Sequence, residues 1–246
     1  MNTKKFHRKR RWWVFGVIII LFAAAGIWYV NDYYRSDESV QAYLQGNESV
    51  TVKETEEGLF LDGKGMETAI IFYPGAKVEY TAYIPLLFQL AEQGVDCFLV
   101  KMPCNLAILG QNKAESIQQM YDYEQWYMAG HSLGGAMAAS YANKHLEDLD
   151  GLILLAAYPT KSLEKEGFTV LSLYGSEDRV LNREKLESGR AIMPDDYTEI
   201  CIAGGNHAWF GNYGEQSGDG KASISREEQQ EQTVEAVLDI ITENEK

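Results

Sequence analysis

The chain is poor in cysteine, proline and histidine, and its few basic residues are unevenly spread. Its three cysteines, Cys97, Cys104 and Cys201, cannot all pair with one another, and none stands in a Cys-x-x-Cys arrangement. That excludes a disulfide scaffold and a zinc ribbon. Five prolines without any period, with 46% hydrophobic and 24% charged residues, exclude collagen-like and disordered organisation and leave a folded chain. A length of 246 residues suits one sizeable domain. Of 22 basic residues, six (Lys4, Lys5, Arg8, Lys9, Arg10 and Arg11) fall in one segment without an acid, leaving 16 basic against 36 acidic residues elsewhere, a net −20. A body of that sign repels phosphate backbones and anionic surfaces, so no nucleic-acid partner is expected.

Long apolar runs are equally scarce, and the longest follows the basic segment directly. Residues 12–30, WWVFGVIIILFAAAGIWYV, hold nineteen positions without a charge. As a helix they cover about 28 Å, close to the hydrocarbon thickness of a bilayer. Trp12, Trp13, Trp28 and Tyr29 stand at the two ends, where amphipathic rings favour the interface, and the basic excess predicts a cytoplasmic N-terminus. The expected organisation is a basic cytoplasmic tail over 1–11, a transmembrane signal-anchor over 12–30, a stalk over 31–47 and an extracytoplasmic domain over 48–246. A cleaved signal peptide is the competing reading, since Ala23, Ala24 and Ala25 are of the size found at cleavage sites. The run continues past those alanines, which favours a retained anchor.

In the body, residues 49–53 and 59–61 alternate in the manner of a small hairpin. Beyond them, 69–73, 95–100, 126–129, 152–157, 170–174 and 200–203 are short apolar runs without strict alternation, the pattern of strands buried on both faces of a parallel sheet. Helical patterns fall between them, over 83–93, 113–121, 134–145, 184–189 and 227–241. The expected fold class is α/β, with a mostly parallel sheet covered on both faces and an antiparallel hairpin at its edge.

Gly130-His131-Ser132-Leu133-Gly134 sits between an apolar strand and a helix rich in small residues, the setting in which Gly-x-Ser-x-Gly presents a nucleophile on a strained turn. A serine hydroxyl needs a base. Of four histidines, His7 lies in the basic tail, His131 adjoins the serine and should point away, and His145 closes the following helix. His207, in the loop after the run 200–203, is left as the base. The carboxylate that fixes its tautomer is expected from the end of the run 170–174, where Asp178 is preferred over Glu177. Two backbone N–H groups should form an oxyanion hole, one from Leu133 and one from the loop Tyr73-Pro74-Gly75-Ala76. Pro74 has no N–H, so Ala76 is expected first and Gly75 second.

From about residue 69 to 241 the chain resembles the α/β-hydrolases, and within them the dienelactone-hydrolase-like, carboxymethylenebutenolidase-related subgroup. The likeness is carried by FYPGAKVEYTAY, VKMPCNLAIL, GHSLGGAMAASYA, LYGSEDRV and GGNHAWFGNYGEQSGDGKASIS. The resemblance implies the α/β-hydrolase fold, a serine, acid and histidine at Ser132, Asp178 and His207 in that family's chain order, no metal or cofactor, and action on ester-type bonds of small molecules. Well-studied dienelactone hydrolases carry cysteine where this chain has Ser132, so their specific substrate does not transfer. The expected activity is hydrolysis of carboxylic esters or thioesters through an acyl-enzyme. An acyltransferase or peptidase acting on envelope material, or a binding protein without turnover, is the alternative. Residues 158–169 are too few to build a helical lid, which predicts a shallow site and short acyl groups. Trp209, Phe210 and Tyr213, just after His207, are expected to cover the end of the sheet, with lining an acyl pocket as the alternative, and Asp219 reads as a turn residue rather than a cation ligand.

Overall fold

The computed structural model describes residues 3–65 and 67–244, the side chains at 3–12, 14, 23 and 244 excepted. It divides into two units, one ending at Tyr33 and one beginning at Tyr34. The first is a single helix, α1 (Thr3–Asn31). Its described apolar side chains, Trp13, Phe15, Ile20, Phe22 and Trp28 among them, are exposed. Among the described residues no helix is long and apolar enough to cross a membrane. The span expected over 12–30 includes positions 12, 14 and 23, whose side chains lie outside the described residues.

The second unit contains eight strands: β1 (Thr51–Glu54), β2 (Gly58–Asp62), β3 (Thr68–Tyr73), β4 (Asp96–Val100), β5 (Gln125–His131), β6 (Gly151–Leu155), β7 (Thr169–Gly175) and β8 (Tyr197–Ile202). The helices are α2 (Ile84–Glu92), α3 (Lys113–Met120), α4 (Leu133–Ala142), α5 (Arg183–Gly189) and α6 (Arg226–Asn244). The strands form one sheet in the order β1-β2-β4-β3-β5-β6-β7-β8. From β4 to β8 every pairing is parallel, whereas β1 and β2 form the expected antiparallel hairpin at one edge.

Burial on both faces explains the continuous apolar runs. In β3, Ile70 and Phe72 enter a core with side chains of α2 and α6, while Ala69, Ile71 and Tyr73 enter a second core with side chains of α3 and α4. Alternation is present in direction but not in polarity, because neither face meets water.

Several boundaries differ from expectation: α4 ends at Ala142, so His145 lies beyond the helix it was expected to close, α6 runs on to Asn244, and two further differences have a clear physical cause. β8 begins at Tyr197, three residues before the apolar run, because an edge strand is only half-covered and tolerates the polar Thr198 and Glu199 opposite Leu171 and Ser172. Residues 34–47, read from the sequence as a stalk, are built into the domain. Tyr34 bridges to Val78, the Asp37 N–H donates to the Asn212 carbonyl at 2.8 Å, and Val40 is fully buried in the core beside α2 and α6. Val40, Tyr43 and Leu44, scattered in a polar stretch, make too faint a periodic signal to reveal that docking.

Candidate functional site

The parallel register brings the carboxyl ends of β3, β5, β7 and β8 to one edge of the sheet, and the loops carrying Ala76, Ser132, Asp178 and His207 emerge there. That edge is where open α/β sheets bind ligands.

β5 runs directly into Ser132, whose backbone has φ 53° and ψ −122°. A side chain in that region costs on the order of 1–3 kcal/mol and persists only where its surroundings impose it. Here the Ser132 N–H donates to the Leu155 carbonyl at 2.9 Å, and its own carbonyl accepts from Ala136 at 3.1 Å. The flanking glycines are sterically required. A Cβ on Gly134 would lie 2.1 Å from the Tyr73 carbonyl oxygen, and one on Gly130 would lie 2.6 Å from the Gly134 carbonyl carbon. Leu133 opens α4, so its N–H has no acceptor within the helix and stands at the positive end of the helix dipole.

His207 and Asp178 form a buried pair, with His207 Nδ1 2.8 Å from Asp178 Oδ2 and their side chains 1% and 0% exposed. The other carboxylate oxygen, Oδ1, accepts from the Val180 and Leu181 N–H groups, each at 2.8 Å. Burial pushes the Asp178 carboxyl upward, but the hydrogen bond and charge of His207 and those two amides outweigh it, and the net displacement is below the ordinary value. An ionised Asp178 accepts, so His207 Nδ1 is the donor, which in the neutral ring leaves Nε2 as the acceptor. That Nε2 is buried and has no hydrogen-bond partner among the described residues. Glu177, the alternative acid, touches Ser176 instead.

A cavity of about 240 Å³ is lined by Ser132, Leu133, Ala136, Ala156, Ala157, Tyr158, Val180, Leu181, Asn182 and His207. The structure thus brings Ser132, Leu133 and His207 to one wall, with Asp178 bonded to His207. It does not bring residues 74–76 onto that wall. Of the two N–H groups weighed for that loop, that of Gly75 is engaged, donating to the Tyr83 hydroxyl at 3.1 Å. The interval 156–168 contains no helix or strand. Tyr158 and the turn 180–182 wall the cavity, and no residue of the loop after His207 lines it. Phe210 and Tyr213 are instead buried in the core, and Trp209 packs against it.

Other residues hold the His207 loop, and sequence reading missed most of them. Gln229 on α6 brackets Asn206, accepting from its N–H and donating to its carbonyl, both at 2.9 Å. Asp219 is indeed a turn residue, and it spans both loops by accepting from Arg179 at 3.3 Å and Ala208 at 2.9 Å. His131 turns away from the cavity, as expected, but into a bonded position: Nε2 lies 3.0 Å from the His207 carbonyl and Nδ1 2.8 Å from the Tyr83 hydroxyl. No periodicity announces such contacts, because Tyr83 and His131 are 48 positions apart. Among the described residues no three His, Cys, Asp or Glu side chains gather into a metal-ligating group.

Solved structures share this architecture at low identity. A protein described as a predicted CIB-like hydrolase from Thermoplasma acidophilum is 14% identical, with 76% of this chain and 98% of that one covered at a TM-score of 0.57. Est1E from Butyrivibrio proteoclasticus, solved with ferulic acid, is 16% identical over 71% of this chain and 90% of its own, with a TM-score of 0.54. The alpha/beta hydrolase domain-containing protein 10 from mouse is 13% identical, covering 79% and 99%, with a TM-score of 0.56. No curated protein sequence matches the chain. The model of the alpha/beta hydrolase family, however, matches residues 69–231, from β3 into α6. With that match spanning well over half of its length and the strand order and serine turn in place, the chain belongs to the alpha/beta hydrolase family.

Proposed function

We propose that this hydrolase is a serine esterase, held at a membrane by its N-terminal segment, that cleaves small carboxylic esters or thioesters through an acyl-enzyme. One observation carries the reading: His207 has its Nδ1 engaged by a buried carboxylate and its Nε2 unpartnered, and it shares a small cavity with a serine on a strained turn. Ser132 Oγ attacks the carbonyl carbon as its proton passes to His207 Nε2. Asp178 stabilises the resulting imidazolium. The oxyanion is met by the Leu133 N–H, with the Ala76 N–H as the proposed second donor. His207 then returns the proton to the departing alcohol or thiol, and water repeats the sequence on the acyl-Ser132 ester.

The cavity is smaller than the 300 Å³ or more usual for drug-sized ligands, and small apolar side chains line it, which favours short acyl groups. Membrane attachment rests on the nineteen uncharged positions behind six basic residues and on the exposed apolar side chains of α1. Membranes from cells expressing the full chain are to be treated with a fluorophosphonate probe and washed with alkaline carbonate. The expected result is an adduct on Ser132, absent in Ser132→Ala, in the washed membrane pellet. An unlabelled Ser132 sinks the catalytic reading, and a labelled protein released by carbonate sinks the anchor.

A further inference from the structure

We propose that His131 and Tyr83 are positioning residues that tie the Gly75–Ala76 loop to the backbone of His207 through one directional chain of hydrogen bonds, so that both sides of the site hold a fixed distance from Ser132. The proposal rests on the reading of Ser132 and His207 as nucleophile and base.

The direction of each bond follows from the groups present. His131 Nε2 faces the His207 carbonyl at 3.0 Å, and a carbonyl only accepts, so Nε2 carries the proton. Burial, with the nearby His207 as a lesser cause, holds the His131 imidazole well below its ordinary pKa, so the ring is neutral and Nδ1 is a bare acceptor. The Tyr83 hydroxyl, 2.8 Å from Nδ1, must therefore donate. Its lone pair accepts the Gly75 N–H at 3.1 Å. Both side chains are buried, and the Tyr83 hydroxyl is held protonated by burial. Moving the ring proton to Nδ1 would set the bare Nε2 against the His207 carbonyl oxygen, two buried acceptors face to face.

The two ends of this chain are the two backbones whose positions the chemistry needs. At one end Gly75 is covalently bonded to Ala76, the N–H expected at the oxyanion. At the other the His207 carbonyl fixes the main chain from which the base projects. The middle, His131, is the residue bonded to Ser132. A fully buried polar chain is costly unless every member is satisfied, and an apolar pair would fill the same space. The His131 ring also lies 4.6 Å from that of His207, and being neutral it sets no charge against an imidazolium there.

The test compares Tyr83→Phe, His131→Gln and His131→Asn in the full-length protein, measuring kcat and KM for p-nitrophenyl acetate, the rate of fluorophosphonate labelling of Ser132, and Tm. Glutamine can place an N–H near the position of Nε2, whereas asparagine keeps only an acceptor near Nδ1 and cannot reach the His207 carbonyl. Misplacement of a reacting group by about 1 Å costs up to about 100-fold, so His131→Asn is expected to lose about 10- to 100-fold in kcat with KM changed less than about two-fold. His131→Gln should recover about ten-fold of that loss, and Tyr83→Phe should lose about three- to ten-fold alone but little more in the His131→Asn background, since coupled residues are not additive. Equal kcat in the Gln and Asn variants overturns the proposal, as does full additivity with Tyr83→Phe. Tyr83→Phe removes one oxygen and keeps the ring, so unchanged kcat there overturns it even if a His131 variant fails to fold. A wild-type Ser132 that does not label defeats the catalytic reading itself. A labelled Ser132 with unaltered kcat across the three variants defeats only the positioning pair.

Discussion

In the proposed mechanism Ser132 and His207, separate in sequence, act on one proton, which gives their substitutions a diagnostic signature. Each of Ser132→Ala and His207→Ala is expected to lower kcat by about three or more orders of magnitude, and the double variant by little more. Losses that multiply would show two independent contributions and no shared transfer. A second residue-scale consequence lies away from the cavity. On the edge strand β8, the Arg190 guanidinium grips Glu199 with Nε at 2.8 Å and Nη2 at 2.5 Å, and Tyr197 and Tyr174 add hydroxyl donors. The Arg190 bond is the largest cause holding Glu199 down to about 2. A carboxyl depressed by folding adds stability that is fully present above its unfolded value near 4.5 and is lost as pH falls through the folded one. Glu199→Gln should therefore lower Tm at pH 7, with the gap closing between about pH 4.5 and 2. Because Arg190 is half exposed, salt should narrow the gap too. A gap that persists unchanged to pH 2.5 would place the effect in packing rather than charge.

At the scale of elements, the segment 34–47 shows what periodicity misses. Val40 sits fully buried against elements from the far end of the chain, and its removal should be felt globally. Val40→Ala is expected to lower Tm by about 3–10 °C while leaving the kcat of the surviving folded protein unchanged, since Val40 does not line the cavity. A variant with unaltered Tm would mean that the segment merely rests on the domain. The central strands were legible because burial on both faces leaves no polar position to interrupt a run such as 69–73, and the serine turn because its glycines are sterically forced. β8 was cut short since half-covered strands mix polar with apolar residues. The sequence order of Ser132, Asp178 and His207 was readable from the loops that end strands. The bonds of His131, Asp219 and Gln229 were not, because they join residues whose proximity exists only once the sheet has assembled.

At the scale of the whole molecule, the interval 156–168 has neither helix nor strand with which to cover the cavity, and Ala136, Ala156 and Ala157 are among its lining. Acetyl and butyryl p-nitrophenyl esters are expected to be cleaved in preference to long-chain ones, with no jump in rate as substrate passes from monomers to micelles. A long-chain preference together with such a jump would reveal a cover formed by rearrangement. The body's net −20 should also disfavour anionic esters against neutral ones of equal size.

The grip of Gln229 on Asn206 has a consequence for the order in which the protein comes into being. Synthesis runs from the N-terminus, so the serine turn and most of the sheet leave the ribosome while α6, residues 226–244, is still to be translated. Until that helix arrives, the backbone beside His207 lacks both of the bonds that bracket it from α6. On the proposed reading of His207 as the base, its loop gains these last two bonds only when the final helix docks, so full activity is expected to appear late in the chain's making.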